Sequence, residues 1–82
     1  MGSVLGFPGI DPRDAAVGAR IRRWRGQRGV DLIDLAAALG LSIEAARRAE
    51  AGREHLSLSQ LTAATTCLQL PLWSLVSDTP AY

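Results

Sequence analysis

Eighty-two residues, 48% of them apolar and only 5% aromatic, are enough for one domain with a core of Leu, Ala, Ile and Val. A core of that size stabilises weakly, which points to an oligomer, a partner or a further domain. The single cysteine, Cys67, rules out an internal disulfide, fits a reducing compartment and is expected as a buried thiol. The formal charge of +1 does not argue for nucleic acid on its own.

Where the charge sits is more informative. Every basic residue is Arg, and Arg20, Arg22, Arg23, Arg25 and Arg28 crowd into one stretch. A planar guanidinium suits phosphates and guanine edges, although an Arg-rich helix face in a protein from a GC-rich genome looks the same. No apolar run is long enough to span a membrane. Met1–Ile10 lacks the basic and apolar parts of a secretion signal, so a soluble, cytoplasmic protein is expected.

In chain order, residues 1–10, with Gly2, Gly6, Pro8 and Gly9, read as an irregular arm. Asp11 offers an N-cap, Pro12 suits the first helical position, and Asp14 suits the positive first turn. The spacing predicts a helix from Pro12 to about Arg28, closed by Gly29, with Val17, Ile21 and Trp24 on one face. Asp31 is expected to cap a second, short helix that buries Leu35, Ala36 and Leu39 and closes at Gly40. Ser42 is expected to cap a third, from Ile43 to Ala51, closed by Gly52. Ser57 and Gln60 form a capping box for a fourth, with Leu58, Leu61, Ala64, Thr65 and Leu68 inward. Pro71 is expected to open a last short helix carrying Leu72, Leu75 and Val76. No useful segment alternates with period two, so the fold class is all-α: a compact five-helix bundle. The domain is expected to run over 11–77, with 78–82 as a C-terminal tail.

Gly40-Leu41-Ser42 joins two short capped helices, the arrangement of a helix-turn-helix. The second helix of such a unit enters a major groove N-terminus first, where its amides and dipole favour phosphate. An enzyme is not expected: one His, one Cys, no metal spacing and no glycine loop for phosphates leave nothing to carry chemistry, and neither cofactor nor metal is implied.

From Val17 to Val76 the chain resembles the Xre-type family, the lambdoid-phage repressor class of helix-turn-helix domains. The matching stretches are VGARIRRWRGQRG, LIDLAAALGLS, RRAEAGR and SLSQLTAATTCLQLPLWSLV, in the family's order and spacing without a gap. The resemblance implies a five-helix, lambda-repressor-like DNA-binding domain, usually dimeric on a palindromic operator. The expected role is a bacterial or phage-encoded transcription regulator at the nucleoid. By position, Arg25 matches a first-helix arginine that pairs with a glutamate, here Glu50, and stands near a phosphate. Ile43, Glu44, Arg47 and Arg48 match positions that look into the groove, with Arg48 the foremost candidate for reading a guanine. Ser42, Arg53 and His55 match positions that touch backbone phosphates. His55 has no companion ligands, so an ordinary polar loop role stands beside that one.

Three departures from the family pattern matter. Leu32 and Ile43 replace polar residues, often Gln, that grip DNA at the starts of the second and third helices. An apolar pair there suits thymine methyls or, with Ile33 alongside, a protein surface. Ala46 and Ala49 stand where larger aliphatics are usual, and Trp24 is expected to fill the space. Trp73 replaces a usually polar residue. It implies either a homodimer or partner contact, together with Leu70 and Leu72, or cover from Phe7 and Ile10 of the arm. The alternative function is a protein-interaction module. It would be an antitoxin-like or anti-repressor subunit, or an activator touching RNA polymerase through Asp31, Leu32, Ile33 and Asp34.

Overall fold

The computed structural model describes residues 11–76. The expected arm with Phe7 and Ile10, and the tail 78–82, lie outside the described residues. Five helices follow in order: α1 (Pro12–Arg28), α2 (Leu32–Leu39), α3 (Ile43–Glu50), α4 (Leu58–Leu68) and α5 (Trp73–Val76). Among the described residues there is no strand.

Local chemistry sets most of the boundaries. The Asp11 carboxylate accepts from the Arg13 amide at 2.7 Å and Pro12 opens α1. Ser42 accepts from the Ala45 amide at 3.0 Å. Ser57 and Gln60 cap each other's backbone amides at 3.1 and 2.9 Å, the reciprocal box expected of them. Asp31 holds the N-cap position of α2, but its side chain makes no capping bond. The turn between α2 and α3 depends on Gly40, whose φ of +70° a residue with a Cβ adopts only at a cost. The next amide, Leu41, reaches back to the Ala36 carbonyl at 2.9 Å, and the Leu41 side chain packs on the core.

That core is one cluster of Ile21, Leu35, Leu39, Ala49, Leu56, Ala64, Leu68 and Leu75. Fully burying each large member stabilises by roughly 1.5–3 kcal/mol relative to leaving it in water. α2 packs on α3 and α4, while α1 lies across α3, α4 and α5. The one buried polar residue among those described, Thr65, donates its hydroxyl to the Thr62 carbonyl at 2.8 Å.

Other details also differ from the sequence-based expectation. Leu58 is 67% exposed rather than inward. As the first residue of α4, its side chain tilts past the helix start, and the inward face begins a turn later at Leu61. Pro71 and Leu72 form a turn before α5 rather than its first residues. Cys67 is only partly buried. α3 ends at Glu50, with Ala51 as its cap rather than its last residue. α4 ends at Leu68, capped by Gln69, a non-glycine residue at φ +59°, with Pro71 preventing continuation.

The small Ala46 and Ala49 are accommodated mainly by backbone approach. A Cβ on Gly18 of α1 would collide with the carbonyl oxygen of Ala49 and lie 2.7 Å from that of Glu50. A Cβ on Gly52, just past α3, would lie 2.6 Å from the Ala15 Cα. α1 therefore seats directly on the C-terminal end of α3. Trp24 packs against the same core from the side, and its ring also carries the Arg28 guanidinium at 5.5 Å.

Candidate nucleic-acid interface

α3 divides cleanly by face. Ala45, Ala46 and Ala49 are buried, whereas Ile43, Glu44, Arg47 and Arg48 are exposed. The alanines favour helix and let the element sit close to its neighbours, so the long side chains are left only on the outer face. Ser42 starts this face. Its hydroxyl oxygen takes the Ala45 amide, at the end of the helix where the dipole is positive.

The orientation of α3 is held by Arg25 and Glu50. Nε of Arg25 donates to Oε2 of Glu50 at 2.6 Å and Nη2 to Oε1 at 3.1 Å, while Nη1 donates to the Val30 carbonyl at 3.1 Å. The side chains keep only 21% and 8% of their exposure. The Glu50 hydrogen bonds hold the Arg25 pKa above its ordinary value against an opposing desolvation, and the charges of Glu50 and Asp31 add to the rise. A group whose pKa rises on folding stabilises fully below its unfolded value, so this contribution is complete at neutral pH and fades only in strong alkali.

The exposed arginines of α3 also meet carboxylates, more loosely. Arg47 Nη1 stands 3.3 Å from Oε2 of Glu44, one turn back on the same strip. Arg48 Nε stands 3.4 Å from Oε1 of Glu54, beyond the helix. Arg53 is exposed and His55 sits beside Asp14, Nδ1 to Oδ1 at 2.9 Å. Leu32 is partly buried and packs on the core, whereas Ile33 and Ile43 are 62% and 39% exposed. At the far end, Leu70 packs on the core, Leu72 is partly buried, and Trp73 is 67% exposed. α1 reaches this end twice: Arg20 donates to the Leu75 carbonyl at 3.1 Å and Arg28 to that of Gln69 at 3.5 Å.

Three features of this surface were not foreseen from the sequence: the Gly18 and Gly52 seats, the Asp14–His55 contact and the Glu54 partner of Arg48. The small residues Ala15 and Gly18, one turn apart on α1, were the only available signal for the first. Among the described residues no group of His, Cys, Asp and Glu is arranged to hold a metal ion, and no helix is long and apolar enough to cross a membrane.

No protein-family model matches this chain, and no curated protein sequence does. Solved structures do. The restriction-modification controller protein C.AhdI from Aeromonas hydrophila is 26% identical, aligned over 76% of this chain and 94% of its own, with a TM-score of 0.69. The clp gene regulator ClgR from Corynebacterium glutamicum is 28% identical over 79% of this chain and 69% of its own, with a TM-score of 0.75. An HTH_3 family transcriptional regulator from Vibrio cholerae, 18% identical over 83% of this chain and 38% of its own, shares the fold at a TM-score of 0.70. The chain has the all-α, five-helix, helix-turn-helix fold of these regulators, in keeping with its resemblance to the Xre type. Its α3 is alanine-faced and seated against Gly18 and Gly52, with apolar Ile43 at its start.

Proposed function

We propose that this chain is a sequence-specific, DNA-binding transcription regulator that places α3 in the major groove. The observation that carries the reading is the division of α3. One face is entirely alanine and buried, and the other presents Ile43, Glu44, Arg47 and Arg48 to solvent from a helix clamped by a partly buried ion pair. The solved neighbours are named as regulators and a controller, which agrees with it.

In this reading Arg48 meets a guanine edge and Arg47 a base or a phosphate. Ser42, Arg53 and His55 position the backbone, with the remaining N–H groups of Arg25 nearby. Leu32, being partly buried, supports Ile43, and Ile43 meets a thymine methyl. A homodimer joined around Trp73, with Leu70 and Leu72 beside it, would space two half-sites by about 34 Å. The exposed Ile33 and Ile43 favour one second reading, a face for a protein partner such as RNA polymerase.

Salt titration separates the two. With three or four phosphate contacts per protomer, and so twice that in the dimer, duplex affinity falls roughly 10³- to 10⁴-fold between about 50 and about 200 mM salt. Affinity that stays flat over that range would remove DNA as the ligand and leave the partner-binding face.

A further inference from the structure

Resting on the reading that α3 enters DNA, we propose that Glu54 is a positioning residue for base recognition. Its carboxylate holds the guanidinium of Arg48 by Nε, so that the two terminal nitrogens face a guanine.

A guanidinium presents its five N–H groups along fixed edges, and which edge is occupied decides what it can read. Arg48 meets Glu54 through Nε alone, at 3.4 Å, with the two side chains 53% and 35% exposed. Nη1 and Nη2 are left for the two acceptors, O6 and N7, that guanine offers side by side in the major groove. Arg47 differs in this respect, since Glu44 takes a terminal nitrogen, Nη1, at 3.3 Å. Its outward edge is partly occupied before any base arrives. Of the two arginines on the exposed face, Arg48 is the one whose reading edge is open.

Glu54 is also well placed to orient rather than merely neutralise. It sits in a short segment anchored on both sides. Before it, Gly52 turns at φ +81° with no room for a Cβ against Ala15, and the Arg53 amide donates to the Arg48 carbonyl at 2.8 Å. After it, His55 meets Asp14 at 2.9 Å and Leu56 is buried at 6% exposure. A carboxylate projecting from a fixed backbone reduces the freedom of a long side chain before binding. Less ordering is then needed when the base is met. Its negative charge also disfavours a phosphate at the same spot, so it favours a base edge over the backbone.

The test is to select bound sequences from a random duplex pool with the full chain, and then measure affinities for the selected site and for random-sequence duplex. Glu54→Ala should lower the preference for guanine at the base pair read by Arg48 by roughly 2- to 3-fold, the bias that one exposed ion pair can impose on a long side chain. Random-duplex affinity should rise, because a negative charge has left the face. Glu54→Gln, which still offers an oxygen to Nε, should keep more of the preference, and Arg48→Ala should abolish it at the same base pair. If Arg48→Ala loses the preference while Glu54→Ala keeps it in full, the positioning role is overturned and DNA reading by α3 stands. A Glu54→Ala protein weakened equally on all sequences would show a structural role and also overturn it. A parent chain that selects no sequence overturns this inference together with the proposed function.

Discussion

Arg25 and Arg48 both face a glutamate, one on either side of α3, yet the two pairs are built differently. Arg25 gives three nitrogens to protein acceptors at 2.6–3.1 Å, and its carboxylate partner Glu50 keeps 8% of its exposure. Arg48 gives one nitrogen at 3.4 Å to a glutamate that keeps 35%. In the first pair each guanidinium nitrogen already has an acceptor within the domain, so its geometry is fixed and its value is mainly architectural. In the second, water competes for each group, so the contact stabilises little but biases where the guanidinium points. The same two residue types thus hold a helix in one place and leave a reading edge open in the other.

The sharpest way to break this comparison is Glu50→Ala. Removing one partner leaves a charge in a site with little water, and the expected loss is about 3 kcal/mol of unfolding free energy. Chemical denaturation of parent and variant measures it. A loss below about 1 kcal/mol would make this pair no different in kind from an exposed one.

Gly18→Ala should have a somewhat smaller effect on the same seam. The added Cβ meets backbone at Ala49 and Glu50, which cannot swing aside as a side chain can, so α1 must lift from α3. Overpacking of this kind costs roughly 1–3 kcal/mol, and the lift should also lengthen the Arg25–Glu50 contact. A variant as stable as the parent, or more stable through its gain in helix propensity, would mean that the helices have slack at this seat.

The sequence disclosed what local chemistry decides and little of what distant backbone decides. Asp11, Ser42, Ser57 and Gln60 cap as their types and positions predict, because a cap is settled within four residues. The family resemblance supplied the outward positions of Ile43, Glu44, Arg47 and Arg48 on α3, which the structure exposes, and the partnership of Arg25 with Glu50. Gly18 was unreadable: inside a helix it looks like a weak point, and only the proximity of α3 gives it a purpose. Gln69 was hidden for a related reason, since a positive φ there follows from the turn towards Pro71 rather than from the residue's own preference. Glu54 was missed because its partner lies six positions back across a turn, outside any helical spacing rule.

The smallest expected effect is the most telling complement to Glu50→Ala. Glu54→Ala removes the partner of an arginine that is already half in water, so desolvation contributes little and salt screens what remains. The expected change in unfolding free energy is within about 0.5 kcal/mol, shrinking further as ionic strength rises. Arg48→Ala should behave alike, and the double variant should depart from the sum of the two by no more than about 0.5 kcal/mol, a coupling that biases the guanidinium without clamping it. Denaturation of all three variants at low and high salt gives these numbers directly. A coupling above about 1 kcal/mol would mean that the Arg48–Glu54 contact is a second clamp. Arg48 would then have to break a structural bond before meeting DNA, and the contrast between the two sides of α3 would disappear.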